Sequence, residues 1–360
     1  MKRSCVIRVD SSRYIGVGHV ARCLTLADAL RRQGTEVHFV SREHLGSASR
    51  LIEEAGFPLH RLPPGTEREA PASHRQWLGV PWAEDARLTA AFIDQNIGVA
   101  DWLVVDHYAI DAMWESSLRP YTRRIMAIDD LADHPHDCDL LLDQNLRDEN
   151  PYGVLLPVHA VTLLGPTYAL LRDEFREAHQ SRRARSGEVN RLVVFFGGSD
   201  PSNETAKAVQ ALLSLGKPIE ADVIVGLINP VKDQIEALCR ESPHLHFHCQ
   251  VSDMARFLLQ SDLALGAAGV SSWERLATGL PALVVAVAEN QMENMRQLDR
   301  HGLAIALGVS ADVSVAGMAQ AVENMLTSPE RIKAMSEKAL GMVDGKGVFR
   351  VVERMSAVMP

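Results

Sequence analysis

The chain has 360 residues, and its formal net charge is −9 at pH 7. Hydrophobic residues make up 46% and charged residues 23%, values that are typical of a globular protein and exclude intrinsic disorder, collagen-like sequence and a coiled coil. The length predicts about two domains, and the negative charge argues against nucleic acid as a partner.

Cysteine usage and hydropathy bear on the cellular compartment. The five cysteines are scattered and form no CxxC pair, which predicts free thiols in a reducing environment. The apolar run near the start is too short for the core of a signal peptide, and the most apolar stretch, Leu280–Ala288, is far shorter than the roughly 20 residues that span a bilayer. We therefore expect a cytoplasmic protein with no membrane span. The cysteines are Cys5, Cys23, Cys138, Cys239 and Cys249.

The first half of the chain alternates short, almost continuously apolar runs with an amphipathic segment. Such runs are typical of parallel strands that are covered on both faces, and the alternation predicts β-α-β units. The predicted elements are a strand at Val6–Asp10, a helix at His19–Arg32 and strands at Val37–Ser41, Trp102–Asp106, Arg124–Asp129 and Leu140–Leu142.

Two segments interrupt this alternation. Between Leu62 and Trp82 the chain is rich in proline and glycine, with Pro71 near its centre, which predicts a loop or an insertion. The segment from Ala178 to Asn190 is basic and poor in apolar residues, and we interpret it as an interdomain linker.

After this segment the alternation restarts. The sequence therefore predicts two doubly wound α/β units of similar size, with domains at residues 1–177 and 190–342, and a helical tail from Val313 onward. The predicted elements of the second half are strands at Leu192–Phe196, Asp222–Val225, Leu263–Leu265 and Ala282–Val287 and helices at Glu204–Leu215, Val231–Cys239 and Ser271–Thr278.

The first candidate site is the sequence DSSRYIGVGH, which follows the first strand and opens the first helix. Gly16 and Gly18 allow a tight turn, and the helix N-terminus offers free amides to a ligand. Ala21 stands where a dinucleotide fingerprint has its third glycine, and no acidic residue stands where such a site needs one, which disfavours NAD. His19 is placed either to act as a general base or to cap and pack the helix, and the sequence leaves both readings open.

Two further glycine-rich turns lie in the second half. The sequence GGSDPSN at 197–203 can bind a phosphate through its amides and a hydroxyl, or it is a strand-to-helix turn capped by Ser202 or Asn203. The sequence GAAGVSSWER at 266–275 can bind a diphosphate and, through Glu274, a ribose. The alternative for this second turn is a capping box of Ser271 and Glu274.

Polar side chains that follow predicted strands complete the candidate sites. In open α/β sheets ligands bind beyond the carboxyl ends of the strands, so we expect such side chains to line a cleft. Those of the first half are Asp106, His107, Tyr108, Asp129, Asp130, Asp143, Gln144 and Asn145, and those of the second half are Glu289, Asn290 and Gln291.

Three histidines at alternate positions, His244, His246 and His248, share one face of a predicted strand and could bind a metal. No carboxylate or cysteine is evident in the same register. We interpret this segment as a solvated edge strand, and we expect no metal and no cofactor in the protein.

The motifs resemble those of the hydrolase family of pseudaminic acid biosynthesis that acts on UDP-2,4-diacetamido-2,4,6-trideoxy-β-L-altropyranose. The resemblance covers residues 4 to about 300, and the second half is also similar to the nucleotide-sugar domain of MurG-type glycosyltransferases. It is carried by IGVGHVARCLTLADAL, VVDHYAID, IDDLADHPHDCDLLLDQN, GPTYALLRDEF, VVFFGGSDPSNET and GAAGVSSWERLATGLPALVVAVAENQ.

This resemblance implies a GT-B fold, an α/β architecture of two Rossmann-like domains with the active site in the cleft between them. It also implies that the last helix, within residues 343–360, packs back on the first domain. His19 would deprotonate the attacking water with Tyr108 beside it, and the partner would be a UDP-sugar bound by a monomer. The substrate-binding residues would be Asp10, Arg13, Gly16, Gly18, Arg22, Gly198, Ser199, Val251, Met254, Gly269, Ser271, Ser272, Glu274, Asn290 and Gln291.

The reaction implied by the resemblance is release of UDP by attack of water on the anomeric carbon, with C–O cleavage and inversion. Helix-end amides and hydroxyls would stabilise the departing diphosphate without a metal. Two alternatives remain open: a UDP-sugar glycosyltransferase of the GT-B fold, and a nucleotide-sugar binding protein without catalysis.

Overall fold

A computed structural model describes residues 3–66, 73–182 and 185–358. The chain divides into two units, one formed by Met1–Leu170 with Gly347–Pro360 and the other by Leu171–Lys346. No helix within the described ranges is long and apolar enough to cross a membrane.

The first unit is built on a seven-stranded parallel sheet with the strand order β3-β2-β1-β4-β5-β6-β7. Its central strands are almost entirely apolar and buried, as expected for strands covered by helices on both faces. The strands are β1 (Ser4–Val9), β2 (Glu36–Arg42), β3 (Leu59–Leu62), β4 (Trp102–Asp106), β5 (Ile125–Ile128), β6 (Leu140–Asp143) and β7 (Val161–Leu164).

Helices cover both faces of this sheet. Helix α1 buries Val20, Cys23 and Leu26 against the sheet, and it also packs against the last helix of the chain, α13, which groups with this unit. The helices of the unit are α1 (Gly18–Arg32), α2 (Ser49–Glu54), α3 (Trp82–Asn96), α4 (Ala112–Leu118) and α13 (Gly347–Val358), with 3-10 helices at His74–Gln76, Arg119–Tyr121 and Pro166–Tyr168.

The second unit repeats the plan with a six-stranded parallel sheet of order β10-β9-β8-β11-β12-β13. The helical tail predicted from Val313 is confirmed. The strands are β8 (Arg191–Phe195), β9 (Glu220–Val225), β10 (Leu245–Cys249), β11 (Leu263–Ala267), β12 (Ala282–Ala286) and β13 (Ile305–Val309).

The helices of the second unit follow its strands. A 3-10 helix at Glu289–Gln291 precedes the tenth α-helix. The helices are α5 (Asp173–Ser181), α6 (Glu204–Leu213), α7 (Lys232–Cys239), α8 (Met254–Gln260), α9 (Ser271–Ala277), α10 (Met292–Arg300), α11 (Val315–Leu326) and α12 (Pro329–Met342).

The two segments predicted as irregular differ from that prediction in part. Helix α5 extends into the predicted linker, and Arg185 is buried there and donates to the carbonyl of Leu258 at 3.1 Å. The basic character of the linker therefore does not keep the Arg185 side chain in solvent, whereas Arg182 is exposed. Residues 183–184 of the linker and 67–72 of the proline-rich segment, including Pro71, lie outside the described residues.

Candidate functional site

The first candidate site lies where the strand order of the first sheet reverses, between β1 and β4. Residue Val9 of β1 pairs with Asp106 of β4, and the loop after β1 leads into α1. Ligands of open α/β sheets bind at such reversal points, beyond the carboxyl ends of the strands. Gly16 has a φ of 76° in this loop and donates its amide to the carbonyl of Ser12, so it supplies a left-handed turn just before the helix.

His19 is held by a carboxylate. Its Nδ1 lies 2.6 Å from Oδ1 of Asp106, and the ring is only 7% exposed. Arg22 donates two hydrogen bonds of 2.7 Å each to the same carboxylate. Burial opposes ionisation of Asp106, but Arg22 and His19 hold its pKa well below the usual range. An ionised carboxylate only accepts hydrogen bonds, so Nδ1 carries the proton and Nε2 is the basic nitrogen.

Tyr108 packs beside this pair. Its ring lies 4.7 Å from the His19 ring in an edge-on arrangement, and its hydroxyl donates to Oδ2 of Asp130 at 2.7 Å. Arg22 also donates to Asp130, at 2.6 Å. Burial and the neighbouring Asp130 raise the pKa of Tyr108, so its phenol stays neutral. The structure thus brings His19, Arg22 and Tyr108 into one network.

Asp106 and Asp130 belong to the candidate site, but the sequence analysis gave neither of them a specific role. Both were expected only as polar side chains that follow strands. The structure makes Asp106 the partner of His19 and Asp130 the partner of Tyr108 and Arg22. The signal that could have found them is their position at the ends of two adjacent parallel strands.

Asp10 is fully buried and forms a hub of ion pairs. It pairs with Arg8, accepts the amide of Arg42 at 2.7 Å, and lies 3.3 Å from Nε2 of His107. Burial opposes ionisation, but Arg8 and its other donors hold the pKa of Asp10 well below its usual range. The structure therefore places Asp10 in the framework of the loop, whereas Arg13 and Gly18 lie exposed.

Further polar side chains at the strand ends support the segment that carries Asp130. Arg147 donates to the carbonyl of Asp130 at 2.7 Å and to Asp143 at 2.9 Å. Asn145 also donates to the Asp130 carbonyl, at 3.3 Å, and Gln144 accepts the amide of Leu170. Burial and the nearby Asp130 raise the pKa of Asp143 to about 7. The strand-end groups expected to line a cleft are thus largely engaged with one another.

Asp129, His134 and His136 form a buried group with ligand atoms close enough to suit a metal. However, His134 uses both ring nitrogens, with Asp133 at 2.5 Å and the carbonyl of Ile110 at 2.9 Å. His136 contacts Glu115 at 2.8 Å, and its other nitrogen lies 3.8 Å from Asp129.

These contacts favour an ion-pair network over a metal site. Burial disfavours a charged ring, but Glu115 and Asp129 outweigh it and raise the pKa of His136 to about 10. A protonated imidazole repels a cation. The group therefore fits a structural role that links α4 to the segment after β5.

The second candidate site lies at the reversal point of the second sheet, between β8 and β11. Gly198 and Ser199 lie in the loop between β8 and α6. A cap by Ser202 or Asn203 was the alternative left open for this turn. Asn203 is the N-cap residue of α6, but its side chain makes no cap hydrogen bond; the carboxylate of Asp200 instead accepts the amides of Glu204 at 3.0 Å and Thr205 at 2.8 Å.

The alternative left open for the second turn, a capping box of Ser271 and Glu274, is not formed in the structure. Helix α9 has Val270 at its N-cap and no side-chain cap. Instead, Arg275 donates to the hydroxyls of Ser271 at 3.2 Å and Ser272 at 3.0 Å, and to the carbonyl of Ala267 at 2.7 Å. Burial lowers the pKa of Arg275 to about 10, a value at which the guanidinium is still charged at pH 7. Arg275 thus fixes the turn that carries both hydroxyls.

Glu274 and Met254 line the same small cavity together with Ser271 and Arg275. Burial raises the pKa of Glu274 to about 7, and Arg172, 3.8 Å away, opposes this only in part. With its cation partner Arg172 at 3.8 Å, the Glu274 carboxylate can still accept hydrogen bonds from ligand hydroxyls.

Of the remaining predicted residues of the second unit, Gln291 lies against this turn. A Cβ atom on Gly269 would lie 3.1 Å from the side-chain amide nitrogen of Gln291, so Gln291 packs closely against the turn. Gln291 also accepts the amide of Val287 at 3.2 Å. Asn290 belongs to the same 3-10 helix, and Val251 follows β10 and is half-buried.

The histidine-rich strand β10 lies at the edge of the second sheet, as predicted. The expectation that no carboxylate shares its register was wrong. Glu220 of β9 contacts His244 at 2.6 Å and His246 at 2.7 Å, and Asp222 contacts His248 at 2.8 Å. The imidazoles are therefore paired with the neighbouring strand.

Comparisons with known proteins agree with this architecture. Residues 192–350 match the model of the glycosyltransferase family 28 C-terminal domain. The chain is 24% identical over 299 residues to the UDP-2,4-diacetamido-2,4,6-trideoxy-beta-L-altropyranose hydrolase of Campylobacter jejuni, and the match covers 82% of this chain and 96% of the relative. It is also 24% identical over 298 residues to an uncharacterized protein of Methanocaldococcus jannaschii, covering 80% of this chain but spanning only 56% of that relative's length.

The fold class follows from a solved structure. The crystal structure of MurG from Acinetobacter baumannii matches with a TM-score of 0.68 at 13% identity and covers 99% of this chain and 100% of that chain. Together with the two doubly wound sheets, this confirms the predicted α/β fold of the GT-B class. The predicted resemblance to the hydrolase, and of the second half to MurG, is likewise confirmed.

Proposed function

We propose that this protein is an enzyme that processes a UDP-sugar, and specifically a hydrolase that releases UDP from UDP-2,4-diacetamido-2,4,6-trideoxy-β-L-altropyranose. The observation that carries the proposal is the His19–Asp106 contact at 2.6 Å, because it sets up a general base at the N-terminus of α1, just after the loop that follows β1. The similarity to the Campylobacter jejuni hydrolase, over most of both chains, supports this choice of substrate.

In this proposal His19 removes a proton from water at Nε2 while Asp106 accepts a hydrogen bond from Nδ1–H. The oxygen of the water bonds to the anomeric carbon, and the bond between that carbon and the UDP oxygen breaks. The bonding electrons leave with UDP. Direct displacement predicts inversion at the anomeric carbon. Asp106 stabilises the imidazolium that forms and does not itself take the proton.

The second unit would bind the UDP moiety. Glu274 would accept hydrogen bonds from the ribose, and Met254 would lie against uracil, since both line one cavity. Ser271 and Ser272, held by Arg275, would contact the diphosphate together with the amides of the turn. Donors of this kind stabilise the charge on departing UDP, so a strong general acid is not needed.

The test is release of UDP in ¹⁸O-labelled water with no acceptor present, followed by mass spectrometry of both products. We expect UDP to be released and the label to appear in the sugar. A preparation of His19→Gln serves as the control for contaminating hydrolases. Label in UDP would mean attack at phosphorus and would remove the proposed role of His19.

The second candidate function is transfer of the sugar to an acceptor. It is favoured by the match of residues 192–350 to a glycosyltransferase domain. The same experiment separates the two, because a glycosyltransferase releases UDP only when an acceptor glycan is added. Binding of the UDP-sugar without turnover in either case would support a nucleotide-sugar binding protein.

A further inference from the structure

The proline-rich segment between Leu62 and Trp82 brings a third aromatic ring to the His19 site. The ring of Trp77 lies 6.4 Å from that of His19, edge-on at 86°, and 5.5 Å from that of Tyr108 at 31°. These separations are those of interacting aromatic pairs. A segment that fits none of the sequence motifs therefore contributes directly to the surroundings of the candidate base.

The described ends of this segment are anchored on both sides. Thr66 donates two hydrogen bonds to the carbonyl of Gly79, one from its amide and one from its hydroxyl, each at 2.9 Å. On the other side, His74 contacts Asp133 at 3.1 Å, and Arg75 lies 3.4 Å from the same carboxylate. Trp77 stands between these anchors, so its ring is held in place.

Trp77 also lines a cavity of about 370 Å³ that lies wholly within the first unit. This volume is within the range of small-molecule sites, roughly 300–1,000 Å³. The cavity combines aromatic and apolar groups such as Tyr14, Ile15 and Leu45 with polar groups such as Ser12 and Gln76, and Arg13 and Arg75 also line it. Such a mixture suits a ligand that carries both methyl groups and hydrogen-bonding groups.

We infer that this cavity is the subsite for the N-acetylated deoxy sugar and that Trp77, with Tyr14, is the residue pair that selects its acetamido and methyl groups. The inference rests on the proposed function, because it names the part of the substrate that this surface recognises. A sugar with two acetamido groups and a C6 methyl presents apolar surface to an aromatic wall. It also offers amides to Ser12 and Gln76. Trp77 is thereby a specificity-determining residue next to the base.

The first arm of the test measures kcat, KM and UDP affinity for Trp77→Leu and Trp77→Phe. We expect Trp77→Leu to lose about 10- to 200-fold in kcat/KM, mostly through KM, because an apolar contact to the sugar is removed. Trp77→Phe keeps an aromatic ring, so its loss is expected to stay below about tenfold. UDP affinity is expected to be unchanged in both variants.

The matched control is Trp82→Phe. Trp82 lies in the same part of the chain and is 38% exposed, but it is not among the residues that line the cavity. Its kinetic constants are expected to equal those of the wild type. If Trp77→Phe and Trp77→Leu behave like Trp82→Phe, the inference is overturned.

The second arm does not depend on turnover. Saturation-transfer NMR with free 2,4-diacetamido-2,4,6-trideoxy-L-altrose is expected to show contact to the N-acetyl methyl protons in the wild type and none in Trp77→Leu. Free L-altrose, which lacks these groups, serves as the negative ligand. Contact without any hydrolysis of the UDP-sugar would support the subsite while refuting the proposed hydrolase. Hydrolysis with equal methyl contact in wild type and Trp77→Leu would refute the subsite alone.

Discussion

The ionised carboxylate of Asp106 cannot donate a proton, and it therefore determines which nitrogen of His19 carries the proton. Asp106 is buried, doubly bound by Arg22 and ionised, so the proton on the imidazole stays at Nδ1. The tautomer needed for a base at Nε2 is thereby selected before any substrate binds. A carboxylate in this role acts on the reaction only through the histidine, so Asp106 is a positioning residue.

Replacing Asp106 by Asn tests that role. The amide can donate to Nδ1 and so favours the wrong tautomer, and we expect kcat to fall by about 100- to 10,000-fold, as for loss of His19 itself. UDP affinity is expected to be unchanged, because the residues proposed to bind UDP belong to the other unit. Thermal unfolding of the variant checks the fold, since Arg22 keeps Asp130 as a partner. Full activity in a folded Asp106→Asn protein would exclude the dyad.

Glu274 makes a separate prediction about pH. Burial raises its pKa to about 7, so below pH 7 the free protein holds a neutral carboxyl. The ionised form accepts hydrogen bonds from ribose hydroxyls better than the neutral form. Ligand binding therefore favours loss of the proton, and affinity is expected to rise as the pH increases through 7.

Calorimetric titration with uridine measures this effect without the titration of a phosphate. We expect wild-type affinity to be about tenfold weaker at pH 5.5 than at pH 8.5. Glu274→Gln is expected to bind weakly and equally at both pH values. A wild-type affinity that does not change with pH would remove Glu274 from the ribose site.

Among the elements, the loop after β5 connects the candidate site to its surroundings. Its Asp130 joins Tyr108 and Arg22, and its Asp129 and His136 connect it to Glu115 of α4. Removing one partner of a buried ion pair leaves a charge uncompensated, which costs about 3–5 kcal/mol. We therefore expect the loop to depend on His136 for its conformation.

His136→Gln tests this with a pH-dependent readout. The folded-state pKa is about 10, above the usual 6.5, so the stabilisation is complete below pH 6.5. It declines as the pH rises, because the unfolded chain loses its proton first, and it is gone above pH 10. The wild-type melting temperature is thus expected to fall more steeply between pH 6.5 and 10 than that of the variant.

The control for this measurement is His159→Gln. His159 is 60% exposed and lies 3.7 Å from Asp139, so it is an ion-pair histidine at the surface, where such pairs contribute little. Its melting curve is expected to follow the wild type at every pH. Equal pH slopes for wild type and His136→Gln would show that the buried pair does not stabilise the loop.

In the molecule as a whole, the same construction occurs twice. Both sheets are parallel. The strand order reverses between β1 and β4 in the first sheet and between β8 and β11 in the second, and a glycine-containing loop lies at each reversal. The loop after β1 leads to the dyad of His19, whereas the turn with Glu274 follows β11, on the other side of the reversal in the second sheet. In the proposed mechanism, the first unit supplies the base and the second unit binds UDP.

Local sequence was enough to predict the central strands, the parallel sheets and the loops that carry the candidate residues, because burial on both faces leaves continuous apolar runs and tight turns need glycine. The outer strands β3, β7 and β13, which are less completely buried, were not predicted. Local sequence also nominated His19 and Glu274 as candidate site residues, and their roles stay predictions. The caps of α6 and α9 could not be predicted from local sequence. In α6 the carboxylate of Asp200 takes the helix amides, and in α9 Arg275 takes the Ser271 hydroxyl, and both contacts depend on the surrounding fold.

The partnerships of the site depend on contacts between distant parts of the chain. Asp106 lies 87 positions from His19, and only the pairing of β1 with β4 brings them together. Trp77 belongs to a segment with no periodicity, and its place beside Tyr108 depends on the anchors at Gly79 and Asp133. Residue type is a local property that sequence displays, whereas the neighbours of a residue are set by the packing of whole elements.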